Sequence, residues 1–321
     1  MSNQLNILVT GGAGFLGSHL CEVLLKDNHK VFCLDNFYSS NKTNIGKLEN
    51  HSNFTFLNQD VCHLNINFEI DQIYNLACPA SPIHYQLDPV KTIQTNILGS
   101  INVLELAKKN NAIILQASTS EVYGSAKYVP IDENHPFSAQ SPYSASKISA
   151  DHLALSYYNS FKLPIKIVRP FNIYGPRQSE RAVIPSIIMQ ALNNKKEIRL
   201  GNVKPTRDLT YVSDTCDAFL DVLKIKNFFG NTLNVGSNNE YTIEEIAKKI
   251  IKKVNSKAII LKDQKRVRSK NSEVIRLVCD NRKILEKTNW KPTINIDKGL
   301  DQTIAWYKKF KYLFAHNIYH V

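Results

Sequence analysis

Tyr143 and Lys147, in the run Tyr143-Ser144-Ala145-Ser146-Lys147, are four residues apart. On a helix that spacing puts a phenol and an ammonium on one face. A nearby positive charge favours phenolate, so the pair can act as a base toward a hydroxyl proton. Such pairs also occur on ordinary surface helices, and what gives this one meaning is a glycine run far upstream. In Thr10-Gly11-Gly12-Ala13-Gly14-Phe15-Leu16-Gly17 the glycines at 11, 14 and 17 follow an apolar run and open a helical pattern. Gly11 permits a tight turn, Gly14 lets backbone approach a pyrophosphate, and Gly17 allows close helix–strand contact, with Phe15 and Leu16 at the helix N-terminus facing the phosphates. Asp35 lies 18 residues beyond Gly17, where a carboxylate with Asn36 beside it binds adenosine ribose hydroxyls and repels a 2′-phosphate. The cofactor expected is therefore NAD rather than NADP. Asp60 and Val61 are expected on its adenine side, and Leu76 and Ala77 at the end of a fourth strand. Lys147 has a second task in this setting, holding the nicotinamide ribose next to Tyr143.

Between these two motifs lies Ala117-Ser118-Thr119-Ser120-Glu121-Val122-Tyr123-Gly124. It follows an apolar strand pattern, and in open parallel sheets ligands sit at the carboxyl ends of strands. Thr119 or Ser120 can hydrogen-bond a sugar hydroxyl. Glu121 adds a carboxylate that hydride transfer alone does not need, which points to a second proton transfer or to a structural bond with the sugar.

The elements that must position these groups can be read from periodicity. Strand patterns at 6–10, 30–34, 54–57, 72–76, 113–117 and 165–168 alternate with helical patterns at 16–25, 89–109 and 144–160. That alternation predicts a doubly wound α/β fold, a Rossmann-type parallel sheet covered on both faces. Beyond Phe171 the regularity fades into a smaller α/β lobe. A helix is expected near 182–192, short strands near 197–200 and 208–212, and a helix opened by Thr242 with Glu244 and Glu245 behind it. The division expected is 1–172 for the dinucleotide, with 208–240 crossing back, and 173–321 mainly for substrate.

Composition bounds the alternatives. With 43% hydrophobic residues in 321 the chain is globular, and its apolar runs fall short of the roughly 18 residues a membrane span needs. The first residues run straight into a strand pattern, so a cytoplasmic protein is expected. The net charge of +12 is compatible with nucleic acid, an anionic surface or a phosphorylated small molecule. The lysines cluster at 248–270 and 308–311, which reads as a solvated helical face. Six scattered cysteines with no C-x-x-C read as reduced thiols, and no metal site is expected.

Five motifs in order, the glycine run, Ser118-Thr119-Ser120-Glu121-Val122-Tyr123-Gly124, Tyr143-x-x-x-Lys147, Arg169-Pro170-Phe171-Asn172-Ile173-Tyr174-Gly175-Pro176 and Arg207-Asp208-Leu209-Thr210-Tyr211-Val212-Ser213-Asp214, resemble the extended short-chain dehydrogenase/reductase superfamily in its nucleotide-sugar epimerase, dehydratase and decarboxylase branch. The resemblance implies tightly held NAD recycled in each turnover, a nucleotide sugar oxidised at C4 and bridging two lobes, and a homodimer built through a helix bundle. Residues 6–124 resemble UDP-glucuronate decarboxylases, most clearly over 73–92. That likeness implies Pro79, Ser81, His84 and Tyr85 as substrate contacts. Residues 126–214 look more like bacterial 4,6-dehydratases, and where decarboxylases usually carry Tyr-Asp-Glu-Gly-Lys this chain has Tyr143-Ser144-Ala145-Ser146-Lys147.

Chemistry leaves both reactions open. Once C4 is a ketone, a C5 carboxylate is a β-keto acid and leaves as CO₂, given a cation for the carboxylate, for which Arg207 is the candidate, and a proton donor at C5. Dehydration needs a base at C5 and an acid for the C6 hydroxyl, and Ser120-Glu121 serves either. A 4-epimerase needs no Glu121. Arg207 and Arg268 suit diphosphate contacts, Asn172 the sugar or its diphosphate, and Arg181 the nucleotide, although each could instead bridge the lobes. This anion-binding set accounts for local positive charge without nucleic acid. A non-catalytic NAD-binding regulator or RNA binder has only the basic C-terminal region in its favour, and it has no use for Tyr143, Lys147 and Glu121 together. The main expectation is a UDP-glucuronate decarboxylase, with a 4,6-dehydratase as the alternative.

Overall fold

The computed structural model describes residues 4–193, 196–254, 257–266 and 274–313. The chain runs through β1 (Asn6–Thr10), α1 (Phe15–Lys26), β2 (Lys30–Asp35), β3 (Phe54–Asn58), β4 (Gln72–Asn75), α2 (Pro82–Leu87), α3 (Pro89–Asn110), β5 (Ile113–Ala117), α4 (Pro142–Phe161) and β6 (Ile165–Pro170). It leaves through β7 (Asn172–Tyr174), α5 (Val183–Leu192), β8 (Glu197–Leu200), β9 (Thr206–Tyr211) and α6 (Val212–Lys224), then returns with β10 (Asn231–Val235). The main sheet is β3-β2-β1-β4-β5-β6-β10, parallel throughout. This is the doubly wound sheet expected. Its seventh strand was not among those expected, because Asn231, Thr232 and Asn234 break the apolar run that marked the other six.

Strand burial explains why the patterns were continuous rather than alternating. Ile7 and Val9 of β1 join one core with Leu20 and Leu24 of α1 and Phe219 of α6. Leu8, between them, joins a second core with Val103 and Ala107 of α3 and Ala154 of α4. Both faces are covered, so the central positions of β1 are apolar on either side. Chain order reverses between β1 and β4, which opens a crevice at their carboxyl ends.

The remaining elements are β11 (Glu240–Thr242), α7 (Ile243–Val254), β12 (Ile259–Lys262), β13 (Arg276–Leu277), α8 (Arg282–Lys287) and α9 (Ile296–Lys309). β9 is the centre of a small sheet with β7, β11 and β13, and β8 pairs with β12. The expected cap of α7 forms: Glu245 N donates to Thr242 Oγ1 at 3.0 Å and Thr242 N to Glu245 Oε2 at 2.8 Å. The lysine run is less freely solvated than its composition suggested. Lys249 donates to Asp297 and Lys253 to Asp301, both at 2.9 Å, tying α7 to α9.

The segment after β7 is fastened to α1 by two contacts. Arg177 Nη2 donates to Glu22 at 2.7 Å, and His19 Nε2 donates to the Pro176 carbonyl at 2.9 Å. Burial, reinforced by the Arg177 charge, lowers the His19 pKa to about 4. The folded chain thus binds this proton only at lower pH than the unfolded chain does. Stability is complete above the ordinary histidine value and is lost as pH falls from 6.5 toward 4, by about 3 kcal/mol in all. His19→Gln keeps an N–H for Pro176 without the titration. Urea unfolding between pH 7 and pH 4 should therefore fall less steeply for the variant (on the order of 1 kcal/mol per pH unit), and equal slopes would refute the assignment.

Candidate active site

The glycine turn is built by crowding. Leu76 N and Ala77 N donate to Thr10 Oγ1 at 3.1 and 3.2 Å, which draws the end of β4 against the turn. Gly11 has φ +66°, and a Cβ there would stand 2.9 Å from Ala77 Cα. At Gly17 a Cβ would meet the Gly11 carbonyl oxygen at 2.3 Å. Gly14 is different: its φ is −70°, open to any residue, and an added Cβ would meet only the Gly11 oxygen, at 3.0 Å. Gly14 borders a cavity of about 320 Å³. A side chain at 14 would press on the Gly11 backbone oxygen and would also border the cavity, where a pyrophosphate needs close approach to the backbone. Gly14 caps α1 with no side-chain acceptor, and the N–H groups of the first turn are thus presented to an anion.

The acidic groups expected to bind a dinucleotide line the same cavity and are already fixed. Asp35 accepts from Ala13 N at 3.1 Å, Phe37 N at 2.8 Å and Ser40 Oγ at 2.7 Å. Asp60 accepts from Lys91 Nζ at 2.7 Å and Asn36 Nδ2 at 3.2 Å. Burial alone would raise the Asp60 carboxyl, but the Lys91 ammonium and the Cys62 N–H hold it below its usual range. Lys91, Ser40 and Cys78 line the cavity and escaped the sequence reading. The Lys91–Asp60 pair joins a helix start to a strand end 31 residues away, and no local spacing announces that. All thirteen residues expected around NAD, from Gly11 to Lys147, lie in the wall of this one cavity. Its glycine cradle, its uncapped helix N-terminus and its carboxylate at the end of β2 fit that group.

On the reacting side, α4 starts with a reciprocal cap. Ser144 N donates to Ser141 Oγ at 3.1 Å and Ser141 N to Ser144 Oγ at 3.0 Å, with Pro142 in the first turn. That places Tyr143 at the mouth of the helix and Lys147 one turn deeper. The Tyr143 phenol lies near the Thr119 side chain. Its ring lies parallel to that of Tyr85 with centroids 5.4 Å apart. Lys147 Nζ donates to the Ala117 carbonyl at 3.0 Å rather than to the phenol. Lys147 is thus not hydrogen-bonded to the phenol beside which its spacing puts it. Burial comes first, then Cys78 and Glu121, and they hold Tyr143 well above its ordinary value, with Thr119 pulling the other way. Burial also pushes the Cys78 thiol up, against the pull of Lys147 and Asn96.

The other expected residues divide. Pro79, Ser81 and Arg181 line the cavity. Ser120 is buried, and Glu121, half-buried, opens the turn after β5 with its N–H donated to Thr119 Oγ1 at 3.2 Å. Asn172 at the start of β7 keeps a buried amide nitrogen without a partner, a donor available to a ligand. Arg207 on β9 gives Nη1 to the carbonyls of Thr206 and Val274, at 2.7 and 2.9 Å, and is not in the cavity wall. His84 belongs to α2, but its side chain lies outside the described residues, as does Arg268 altogether. Among the described residues no His, Cys, Asp or Glu cluster could hold a metal ion.

A sequence model of the family described as GDP-mannose 4,6 dehydratase matches residues 8–303. A UDP-glucuronic acid decarboxylase of Arabidopsis thaliana is 35% identical over 309 residues, 94% of this chain and 69% of that one. A dTDP-glucose 4,6-dehydratase from Bacillus anthracis, solved with NAD, superposes with TM-score 0.83 at 32% identity, covering 96% of this chain and 98% of the other. A UDP-glucuronic acid 4-epimerase from Bacillus cereus, solved with UDP-glucuronic acid and NAD, gives TM-score 0.87 at 31% identity, covering 95% and 99%.

The place of Gly14 beside the cavity supplies a test. Gly14→Val should cost about 1 kcal/mol as a poorer helix N-cap and should abolish NAD binding measured by calorimetry. A folded variant that still takes up NAD would show that the pyrophosphate lies elsewhere.

Proposed function

Since the chain belongs to the GDP-mannose 4,6 dehydratase family, in the nucleotide-sugar branch of the extended short-chain dehydrogenases, we propose that it is an NAD-dependent UDP-glucuronate decarboxylase. The observation that carries this reading is the 35% identity to a UDP-glucuronic acid decarboxylase across 94% of the chain. The Bacillus cereus epimerase, solved with UDP-glucuronic acid and NAD, supports the same substrate. We assign NAD to residues up to 172 together with α6 and β10, and the nucleotide sugar mainly to the elements from 173 onward.

The roles follow from chemistry and position. Tyr143 Oη takes the proton of the sugar C4 hydroxyl, which Thr119 and Ser120 orient. NAD bound in the cavity would take up the C4 hydride and return it at the end of the turnover. The positive charge of Lys147 offsets the phenolate and holds the nicotinamide ribose. Tyr143 must ionise against its burial, so this base becomes competent only when a bound ribose and the Lys147 ammonium lie close to it. With C4 a ketone, the C5 carboxylate leaves as CO₂, its bonding pair passes into the enolate, and a proton is delivered to C5. Glu121 manages that proton or fixes the sugar. Arg207 and Arg181 supply cations for carboxylate and diphosphate, and Pro79, Ser81, Tyr85 and Asn172 contact the sugar. Return of the hydride to C4 gives UDP-xylose.

Dehydration of a hexose is the second reading. It is favoured by the 126–214 likeness to 4,6-dehydratases and by 32% identity to the Bacillus anthracis enzyme. Six free thiols support a reducing, cytoplasmic setting, and among the described residues no helix is long and apolar enough to cross a membrane. The exposed apolar residues of α3, Val90, Ile93 and Leu98, with Phe161 at the end of α4, support a homodimer formed through these two helices.

Mass spectrometry of products from UDP-glucuronate and, separately, dTDP-glucose tests the reaction. Loss of CO₂ from the first is expected, with turnover falling at least about 10³-fold in Tyr143→Phe while NAD remains bound. Loss of water from the second substrate alone would establish the dehydratase instead. Sedimentation should show a dimer that Leu98→Asp converts to monomer, and a monomeric native chain would remove the interface.

A further inference from the structure

The proposed mechanism uses the phenol oxygen of Tyr143, but the ring that carries this oxygen also has to be held. Among the described residues, the ring stacked on it is that of Tyr85 in α2, with the two planes 7° apart and the centroids 5.4 Å apart. Tyr85 is 5% exposed and Tyr143 6%, so both rings are closed off from solvent. Tyr143 lines the cavity and Tyr85 does not, so the Tyr85 ring covers the phenol from outside that wall.

The helix that delivers Tyr85 is fastened at both ends. It leaves the cavity wall at Pro79 and Ser81, and Tyr85 N donates to the Ser81 carbonyl at 3.1 Å. Immediately after it, Asp88 caps α3 by accepting from Lys91 N at 2.9 Å. Six residues held in this way present one aromatic ring to the first turn of α4. The serine cap of α4 fixes the backbone of Tyr143 but not its ring, which turns about two torsions, and the second of these is broad for an aromatic side chain. A phenolic O–H lies in the plane of its ring, because the oxygen is conjugated with it. The ring plane therefore determines the directions in which Oη can receive a proton. Offset-stacked rings prefer parallel planes, which is the arrangement Tyr85 imposes here. Apolar filling alone would be met by a leucine, which sets no plane.

We propose that Tyr85 is a positioning residue for the base, its ring fixing the plane of the Tyr143 phenol so that Oη meets the sugar C4 hydroxyl. This rests on the assignment of Tyr143 as base and not on which of the two reactions follows, since both begin by oxidising C4. A sugar contact through the Tyr85 hydroxyl is a different task from stacking through its ring, and Tyr85→Phe separates the two.

The first step of turnover tests this. The full-length chain loaded with NAD is mixed with UDP-glucuronate and, separately, with dTDP-glucose, and reduction of the bound NAD is followed by absorbance. Tyr85→Leu should slow that reduction about 10- to 100-fold, with the half-saturating sugar concentration changed less than about threefold. Tyr85→Phe should bring the rate back to within about threefold of native. A leucine variant that reduces NAD at the native rate, or one changed only in its half-saturating concentration, would overturn the proposal. A phenylalanine variant as slow as the leucine one would also overturn it, as that is the outcome of a hydroxyl contact with the sugar. The stack itself is read without turnover, by NMR of ring-labelled tyrosine with Tyr143 assigned through Tyr143→Phe. The Tyr85 ring current should displace the Tyr143 signals, in Tyr85→Phe as in the native chain, and the displacement should vanish in Tyr85→Leu. Undisplaced signals in the native chain would refute the proposal even if Tyr85→Leu does not fold. Failure of both sugars to reduce NAD in the native chain would instead refute the function proposed above, and the NMR comparison would still read the stack.

Discussion

Two consecutive residues at the end of β5 are held by side chains of α4, the third stands near its tyrosine, and the site is arranged around that grip. Ala117 offers a carbonyl to Lys147 and Ser118 a hydroxyl to Asp151, while Thr119 lies near the Tyr143 phenol. Four-residue spacing keeps 143, 147 and 151 on one side of the helix. Rotating α4 by a single residue would turn all three contacts away together. The reciprocal serine cap at Ser141 and Ser144 fixes where the helix begins, so the first turn of α4 determines where the phenol stands. Ser118 N in turn donates to the Val168 carbonyl at 2.8 Å, which ties the strand end to β6 and to the segment leading into β7.

The dinucleotide side obeys a different constraint, the shortage of space. Gly11 and Gly17 are forced by neighbouring backbone, and Gly14, whose added Cβ would stand 3.0 Å from the Gly11 oxygen, also borders the cavity. The two carboxylates there are pre-set by the protein's own donors. Asp35 is anchored by backbone and Ser40, and Asp60 by Lys91 and Asn36. A ligand entering this cavity finds its acceptors in place and pays little for ordering them, which suits a cofactor retained through turnover.

Buried charge is handled the same way in the rest of the molecule, by saturating it with local partners. Lys166 is fully buried and donates to the carbonyls of Val222 and Leu223, satisfying the C-terminal end of α6. Asp208, next to Arg207, accepts from Ser237 N, Ser237 Oγ, Asn238 N and Cys279 N. The strand that carries Arg207 is thereby locked to the segments at 237–238 and 279.

Local pattern determined a great deal in this chain. The parallel sheet, the glycine turn, the carboxylate at the end of β2 and the Tyr143–Lys147 face all depend on short-range spacing, and 35% identity to a decarboxylase sits comfortably on that frame. Pairings between distant elements were invisible, because no period records them: Lys91 with Asp60, Asp151 with Ser118 and Arg169, and β10 against β6. The protonation of Tyr143 belongs with these. Sequence spacing suggested a phenol eased by its neighbouring lysine, but the fold buries the phenol and gives the lysine to the Ala117 carbonyl. Desolvation depends on everything packed around a group, and only the tertiary structure assembles that surrounding.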